Sequence, residues 1–379
     1  MTHATKPRGL FLNPTKANCS IHESGRMVFD CLKLSDKYDL DYVEVSEEKR
    51  QISTGYDFYA FNYHHQTMGW LDTRSVRQLP GLKLTFVLET LPNDPFVLCP
   101  SDAFDVYCAL DPTMNVEDAR VYAFPRPLEP APAMRPYQEP KVPVIGSFGF
   151  ATRGKGFELV VEAVNMEFER AIVRINIPPA TYLAPPPPGS ASLDYADYLT
   201  EFCQQTAREG IEVVVTRDYM DKEELIQWCG QNTLNCFLYD RKMPGLSATT
   251  DQAISSGRPL AIGTNETFRH IHAAIKPYPL RSLKESIEVS QAEVMQLQKE
   301  WSAEKFTLRF EEVLTKSHLF EAVGNSNATS ASIKLRKKSP TFKTMVARAI
   351  RKTMPQSLIE GTKKLVGYKK AALPAMSEK

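Results

Sequence analysis

Residues Val144–Arg170 read VIGSFGFATRGKGFELVVEAVNMEFER, and this stretch decides the fold. Its first residues, Val144–Phe148, form a short apolar run that predicts a buried strand, and the glycine-bearing loop Gly149–Gly156 follows at once. From Phe157 onward apolar residues recur at helical spacing, which predicts a helix over Phe157–Arg170. A strand that runs through a short loop into a helix is the building unit of a parallel sheet with helical crossovers. We therefore expect an α/β protein.

The same alternation continues to residue 263. Asp221 is the expected N-cap of one helix, and Glu224 completes a capping box with it. Gly257 and Pro259 mark the end of another helix. Strands are predicted at Ile172–Ile177, Glu212–Val215, Leu234–Tyr239 and Leu260–Gly263, and helices at Asp221–Gly230, Ser247–Ser256 and Ser302–Thr315. A long proline-rich excursion, which includes Pro185–Pro188, separates the first two of these strands.

The first half of the chain carries a second alternating block. A helix is predicted at Glu23–Ser35, and strands at Gly9–Asn13, Leu40–Val45, Phe58–Tyr63, Lys83–Leu88, Val106–Leu110 and Arg120–Phe124. Pro125–Pro143 then holds seven prolines, which excludes regular helix and central strand. We predict two Rossmann-like domains that face a cleft: residues 1–127, a linker at 128–143, a second domain at 144–323 that includes the closing helix, and a polar linker with a basic tail at 324–379.

Composition narrows the class of protein. Apolar residues make up 42% of the 379 residues and charged residues 24%, which is typical of a globular protein in water. No apolar run approaches the roughly 18 residues that span a bilayer, and the N-terminus lacks a signal-peptide core, so we expect a cytoplasmic protein. The seven cysteines form no C-x-x-C pair and are expected to be reduced. We expect no metal site and no cofactor.

The C-terminal tail differs sharply in charge from the rest. From Lys334 to the end, thirteen Lys and Arg stand against two Glu, which gives +11, so the preceding body carries −10. Between Phe342 and Met354 apolar and basic residues alternate at helical spacing, and Pro355 breaks the pattern. Such a helix can lie on an anionic membrane surface, with residues 334–370 supplying the contact at the inner face of the membrane. The competing interpretation is a solvated tail or one that binds an acidic partner; we expect no nucleic-acid partner.

Two loops in the second half have the character of phosphate-binding loops. Gly149–Gly156 offers glycines for close backbone approach, with Arg153 and Lys155 for charge, but it matches neither a Walker loop nor a G-x-G-x-x-G fingerprint. The second loop, MPGLSATTDQ from Met243 to Gln252, is expected to present backbone amides at a helix N-terminus, which is a natural diphosphate seat. The alternatives are an ordinary turn with exposed basic residues and a capped structural helix.

Together, the two loops resemble those of GT-B glycosyltransferases, in particular the large retaining bacterial family 4 (group 1 type). That family carries G-R-x-x-x-x-K-G, E-E-L and E-G-F-G-x-x-x-x-E-A-x-A-x-G-x-P-V. This chain has Gly149-Phe150 … Lys155-Gly156, then Glu223-Glu224-Leu225, then Pro244-Gly245-Leu246-Ser247 … Gln252-Ala253-Ile254-Ser255-Ser256-Gly257-Arg258-Pro259-Leu260. Trp301–Leu314 is similar to the family's closing helix, Ser20–Gly25 to its first loop, and Val121–Pro127 to its last strand before the linker.

The chain departs from that family at several polar positions. The family's phosphate-binding arginine falls on Phe150, its sugar-contacting glutamate on Pro244, and its ribose-binding glutamate on Gln252 with Asp251 beside it. The histidine that often follows the fourth strand of the first domain falls near Glu89. These replacements leave two possibilities, a divergent enzyme or a fold that no longer catalyses transfer.

The resemblance implies transfer of a sugar from a nucleotide-sugar donor to a glycan or lipid-linked acceptor, with retention of configuration. His64, His65 and Asp240 are the catalytic candidates, because each follows a strand that ends at the cleft. The donor-binding candidates are Gly149, Arg153, Lys155, Arg241, Gly245, Leu246, Ser247, Ala248, Thr249, Asp251 and Gln252. The alternative functions are a non-catalytic sugar-nucleotide-binding or scaffold protein and a sugar-nucleotide epimerase.

Overall fold

In the computed structural model of the protein, the described residues are 6–15, 19–178, 195–242, 245–322 and 331–338. Their strands are β1 (Arg8–Pro14), β2 (Asp39–Val45), β3 (Gln51–Ser53), β4 (Phe58–Phe61), β5 (Leu82–Val87), β6 (Val106–Ala109), β7 (Val121–Ala123), β8 (Val144–Phe148), β9 (Ala171–Asn176), β10 (Ile211–Thr216), β11 (Leu234–Phe237), β12 (Leu260–Ile262) and β13 (Ser332–Lys334). Their α-helices are α1 (Ser20–Leu32), α2 (Thr73–Val76), α3 (Phe157–Glu167), α4 (Tyr195–Thr206), α5 (Lys222–Gly230), α6 (Thr249–Ser255), α7 (Arg269–His272), α8 (Leu283–Glu300), α9 (Ala303–Lys316) and α10 (Leu319–Ala322).

The first domain is built on a parallel sheet of six strands in the order β2-β1-β4-β5-β6-β7. The six strands predicted in this half of the chain are therefore confirmed. Both faces of the sheet are covered: Phe11 and Phe86 belong to one apolar cluster, Tyr59 and Phe61 to another. Burial on both faces explains why the inner strands β4 and β6 are continuously apolar, whereas the edge strand β2 alternates polar and apolar residues.

The second domain repeats the plan with five parallel strands in the order β10-β9-β8-β11-β12. The order reverses direction between β8 and β11, as it does between β1 and β4 in the first sheet. Open parallel sheets form a crevice at such a switch point, at the carboxyl ends of the strands. The two predicted loops follow β8 and β11, so both open onto this crevice.

The connection between the two sheets contains no regular helix or strand from Phe124 to Pro143. The prediction for α5 is confirmed in detail, since Asp221 caps the helix and Glu224 returns the bond to form a capping box. The closing helix predicted at Ser302–Thr315 is α9, and Ser302 is its N-cap.

Helix α9 packs on the first domain, which corrects the sequence-based division that placed it in the second. Its apolar face, with Phe306 and Phe310, joins the cluster that contains Phe86 and Phe124. The ring of Phe310 lies 5.8 Å from that of Phe86. The chain therefore crosses back after α8, and the first domain is completed from both ends of the chain.

Three parts of the structure were not predicted correctly. Ser20–Gly25 is not a loop but the start of α1, where Gly25 packs against the side chains of Asn13 and Asn62. Helix α4 lies in the stretch that we treated as an excursion, while Pro185–Pro188 lies outside the described residues. Helix α8 was missed because small residues such as Ser286 and Ser290 form much of its buried face, so its apolar periodicity is weak.

The beginning of the basic tail is also different from the prediction. Ser332–Lys334 forms β13, an antiparallel partner of β3, and Leu335 is buried in the first domain. The amide of Lys338 donates to the carbonyl of Trp70 (2.8 Å), so residues 331–338 dock on this domain instead of continuing a free linker. The helix predicted between Phe342 and Met354 lies outside the described residues.

Two further features bear on the sequence-based expectations. All seven cysteines are buried, and none of them is paired in a disulfide. Among the helices of the described residues, none combines the length and apolarity that crossing a bilayer requires.

Candidate active site between the two domains

The carboxyl ends of the two sheets meet directly. The amide of Gly245, in the loop after β11, donates to the carbonyl of Thr90 after β5 (3.0 Å). Beside it, Arg269 Nη2 lies 2.6 Å from Asp111 Oδ2 and also donates to the hydroxyl and the carbonyl of Thr90. Asp111 is fully buried and Arg269 nearly so. This ion pair fixes the two loop sets against each other around the cleft.

The glycine-bearing loop after β8 needs its glycines to reach the loop after β11. Gly154 and Gly156 have φ values of +80° and +63°, in the left-handed region that favours glycine. A Cβ on Gly156 would collide with the carbonyl oxygen of Leu238, and the amide of Asp240 donates to the carbonyl of Gly154 (3.1 Å). The two loops therefore form one packed unit.

Lys155 is held at the centre of this unit. Its Nζ donates to the hydroxyl of Tyr239 (3.0 Å), which is bonded to the hydroxyl of Thr249 (2.9 Å), and that hydroxyl contacts the Ser247 hydroxyl (2.8 Å). Burial would raise the pKa of Tyr239, but the Lys155 charge and the hydrogen bonds from Lys155, Ser247 and Thr249 outweigh it and lower the pKa. We call Lys155, Tyr239, Ser247 and Thr249 the second-domain edge. It is a cluster of one cation and three hydroxyls.

The second loop differs from its prediction in two respects. Helix α6 begins at Thr249 rather than Ser247, and it has only seven residues. The amide of Ser247 donates to the carbonyl of Thr267 (3.0 Å), so it is not available to a ligand. Leu246 is buried, and Ala248 takes the N-cap position without a side-chain cap. The hydroxyls of Ser247 and Thr249, rather than a row of free amides, face Tyr239 and Lys155.

Several other predicted donor residues are used elsewhere. Asp251 is buried, and its Oδ2 accepts from Arg126 Nε (2.6 Å), so its carboxylate is held toward the linker between the domains. The guanidinium of Arg153 lies over the ring of Tyr195, 5.3 Å from its centroid, on the α4 side of the loop. Gln252 is half-buried. Gly149 lies beside the Lys155 side chain, and a Cβ there would be 3.5 Å from Lys155 Nζ.

The opposite wall comes from the loops after β4 and β5. His64 Nε2 lies 3.4 Å from Glu89 Oε2, and the rings of His64 and His65 are 4.5 Å apart. Glu89 also borders Gly245, where a Cβ would lie 3.4 Å from Glu89 Cγ. We call His64, His65 and Glu89 the first-domain edge. The structure thus brings both predicted histidines to the cleft.

Burial and neighbouring charged groups shift the pKa values of Glu89 and His65. Burial raises the pKa of Glu89, but contact with His64 and the nearby His65 and Arg241 outweigh it, and the net shift is downward. Burial and the adjacent His64 lower the pKa of His65. Asp240 is exposed at the end of the loop after β11, and the Arg241 carbonyl accepts from Asn265 (2.9 Å).

Sequence reasoning did not find Tyr239, Glu89, Asp111, Arg126 or Arg269 as site residues. Glu89 carried a signal, because it falls where the resembled family has its histidine. Tyr239 lies two residues after the end of β11, where a polar residue near the carboxyl end of a strand could have indicated it. The ion pairs Arg126–Asp251 and Arg269–Asp111 join residues 125 and 158 positions apart, so no local pattern marks them.

No protein-family model matches the sequence, and neither does any curated protein. Solved structures do match the fold. HepE of Anabaena, solved in complex with UDP and glucose, covers 82% of this chain and 100% of its own, with a TM-score of 0.54 and 8% identity. A glycosyltransferase from Rickettsia africae covers 85% and 100%, with a TM-score of 0.53 and 10% identity. The N-terminal domain of Candida albicans trehalose-6-phosphate phosphatase covers 84% and 98%, with a TM-score of 0.55 and 10% identity.

These similarities, together with the two parallel sheets and the returning helix α9, define the class. The chain has the GT-B fold: two Rossmann-like domains that face each other across a cleft. The fold class predicted from the sequence is confirmed. At 8–10% identity the similarity concerns the fold, and the activity has to be argued from the residues of the cleft.

Proposed function

We propose that the protein is a glycosyltransferase that binds a nucleotide sugar in the cleft and transfers the sugar to a glycan or lipid-linked acceptor. The observation that carries this proposal is the second-domain edge. It places one ammonium group and three hydroxyls at the β8/β11 switch point, opposite the first domain. Departure of a nucleoside diphosphate needs positive charge and hydrogen-bond donors that are fixed in advance, and this edge supplies both.

The polar groups of the second-domain edge are hydrogen-bonded to one another. The Lys155 ammonium also lies over the Tyr239 ring, 4.5 Å from its centroid. A diphosphate would therefore take the place of the Tyr239 hydroxyl as the main partner of Lys155. An anion with several oxygens is a stronger acceptor for an ammonium than a neutral phenol is. HepE, which shares the fold, binds UDP and glucose, and we propose a nucleotide sugar of this chemical class for the present chain.

The experiment that tests this function has two stages. Isothermal titration against UDP, GDP, ADP and their hexose derivatives asks whether a sugar nucleotide binds; we expect one of them to bind in the micromolar range. The release of free nucleoside diphosphate, with and without a mixture of glycan and lipid-linked acceptors, then asks whether the bound donor reacts. Failure of every nucleotide to bind would reject the proposal.

A non-catalytic binding protein is the second candidate. It is favoured by the replacement of the family's two motif glutamates with Pro244 and Gln252. The release assay distinguishes the two candidates, because a non-catalytic protein binds the nucleotide sugar without releasing nucleoside diphosphate. An epimerase would convert the sugar nucleotide into its epimer, which chromatography of the incubated donor would show.

We also propose that the tail holds the enzyme on an anionic membrane, near a lipid-linked acceptor. The tail leaves the first domain at Lys338, which is bonded to Trp70, five residues after His65 in the acceptor-side loop. From residue 339 onward nine Lys and Arg stand against two Glu, and each cation near an anionic surface is worth about 1 kcal/mol.

Liposome flotation tests the membrane contact. The full chain should float with phosphatidylserine vesicles at low salt and dissociate at high salt, because the attraction is screened. The matched variant ends after Lys338, which keeps β13 and so preserves the first domain. If this shortened chain floats as well as the full chain, the tail is not the anchor.

A further inference from the structure

The first-domain edge contains a polar pair, His64 and Glu89, that the proposed diphosphate site does not include. His64 follows β4 and Glu89 follows β5, and these strands are neighbours in the sheet, so their carboxyl ends bring the two side chains together. The pair lies in front of Gly245, on the side of the cleft opposite Lys155. In the proposed reaction the acceptor hydroxyl approaches the bound sugar from this side.

A backbone contact determines the tautomer of the neutral His64 ring. The amide of Gln66 donates to His64 Nδ1 (3.2 Å), and a backbone amide can only donate, so Nδ1 is the unprotonated nitrogen. In the neutral ring the proton is then on Nε2, which is buried and has no hydrogen-bond partner among the described residues. This Nε2–H lies 3.4 Å from Glu89 Oε2 and is the donor that faces the carboxylate.

The same contact argues against a metal ion at this edge. One ligand atom from each of His64, His65 and Glu89 lies within 4.8 Å of the others, a spacing that a divalent cation could bridge. A metal on His64 Nε2 would require the lone pair there and the proton on Nδ1, where it would face the N–H of Gln66. The observed hydrogen bond therefore fits a proton donor and not a metal ligand.

Glu89 is suited to accept a proton. Its side chain is 30% exposed, so a substrate hydroxyl can reach it from the cleft. The groups that face it are His64, His65 and Arg241, and together they lower its pKa against the effect of burial, so the carboxylate is ionised at neutral pH. His65, whose pKa is lowered, is neutral there.

We infer that Glu89 is the general base that takes the proton of the acceptor hydroxyl, and that His64 is its positioning residue. This inference rests on the proposed function. In one displacement the acceptor oxygen bonds to the anomeric carbon, the bond from that carbon to the phosphate oxygen breaks, and the electron pair leaves with the nucleoside diphosphate. The hydroxyl proton goes to Glu89. A single displacement inverts the anomeric configuration, which departs from the retention that the sequence resemblance implies.

The first test uses the nucleotide sugar that titration identifies, with water or a glycan as the acceptor. Glu89→Gln should bind the donor within about twofold of the wild type, yet release nucleoside diphosphate at least about 100-fold more slowly, the usual contribution of a general base. Proton NMR of the first product formed by the wild type should show the inverted anomer. Release by Glu89→Gln at the wild-type rate, or a retained anomer, would overturn the inference while donor binding still supported the proposed function.

The role of His64 is read from a pH profile. His64→Phe keeps a ring but removes the Nε2–H, so the pKa of Glu89 should rise and the acidic limb of the release rate should move to higher pH. His64→Gln keeps an N–H donor of similar reach and should restore the limb toward its wild-type position. If both variants lower the rate equally at every pH, His64 acts only through structure and the positioning role is rejected.

A substrate-free measurement tests the tautomer itself. Nitrogen-15 NMR of histidine-labelled protein should show His64 with a bonded proton on Nε2 and none on Nδ1, and Gln66→Pro, which removes the amide donor, should perturb that signal specifically. Titration with Zn²⁺ should show no site that depends on Glu89. Stoichiometric Zn²⁺ binding that Glu89→Gln abolishes would overturn the tautomer and with it the inference.

Discussion

Across the cleft, the polar groups of the second-domain edge bond to one another, whereas in the first-domain edge the contact of His64 Nε2 with Glu89 is long, at 3.4 Å, and His65 Nδ1 has no hydrogen-bond partner among the described residues. The second-domain edge also rests on buried supports, the ion pair Arg126–Asp251 and the contact of His270 with Thr250. Unpaired buried polar groups cost free energy; Asp251 Oδ1 and His270 Nδ1 in the supports are also unpaired among the described residues, so the contrast lies in the edge residues themselves. The contrast predicts that changes in the buried supports of the second-domain edge chiefly affect stability, that loss of the Lys155 ammonium chiefly affects nucleotide binding, and that changes at the first-domain edge chiefly affect turnover.

The largest effect is expected at the support beneath α6. Arg126→Leu leaves the Asp251 carboxylate buried without its partner and should lower the free energy of unfolding by about 3–5 kcal/mol. Arg77→Leu, which breaks the exposed pair with Asp102, is the matched control and should cost less than about 1 kcal/mol. Urea unfolding of both variants measures the difference; equal costs would show that the buried pair is not a support.

The next largest effect is expected at two glycines of the cleft loops, Gly156 and Gly245, which should differ in the stability that an alanine substitution costs. Gly156→Ala places a Cβ against the carbonyl of Leu238 in a left-handed residue and should cost about 2–4 kcal/mol. In Gly245→Ala the new Cβ would contact only Glu89, at van der Waals distance. The substitution should therefore cost only the backbone strain of a φ of +98°, about 1–2 kcal/mol of stability. The restraint on residue 245 is therefore its backbone conformation rather than a lack of space. Thermal unfolding of the pair tests this order.

The free energy of unfolding should depend on pH because of His270. Burial, with the charges of Arg126 and Arg269, holds its pKa well below 6.5, so the folded state stays unprotonated where the unfolded state takes up a proton. Its contribution to stability is complete above pH 6.5 and is lost as the pH falls toward the folded pKa, at up to about 1.4 kcal/mol per pH unit. His270→Phe should flatten the slope between pH 6.5 and pH 5; an unchanged slope would assign it to other groups.

The smallest effect on stability is expected at the first-domain edge. Glu89→Gln keeps the shape of the side chain and removes no aligned hydrogen bond, so the free energy of unfolding should change by less than about 1 kcal/mol. Guanidinium unfolding at pH 7 measures it. A cost as large as that of Arg126→Leu would erase the contrast between the two edges.

The sequence predicted the sheets well because buried parallel strands such as β8 and β11 are continuous apolar runs, and because local signals such as the capping box at Asp221 need only neighbouring residues. The predictions failed where packing between residues far apart in the sequence determines the structure. The closing helix α9 has a clear apolar face, but nothing in that face says which domain it covers.

The candidate site was predicted only in outline. Lys155, Gly245, His64 and His65 lie at the cleft, since each follows a strand that ends there, and their roles in binding and catalysis stay predictions. The partners that decide their chemistry come from elsewhere in the chain. Tyr239 accepts a hydrogen bond from the ammonium of Lys155. Arg126 binds the carboxylate of Asp251, which the sequence had suggested as a donor-binding residue.

The most direct test of the account is the affinity for nucleoside diphosphate, measured by isothermal titration on Lys155→Ala and Tyr239→Phe. If the diphosphate displaces the Tyr239 hydroxyl from Lys155, then Lys155→Ala should lose about 1.5–3 kcal/mol of binding free energy, roughly 10- to 150-fold in affinity. Tyr239→Phe should bind as tightly as the wild type or tighter, while Lys299→Ala, an exposed lysine on α8, should change nothing. Wild-type affinity in a folded Lys155→Ala variant would contradict the account.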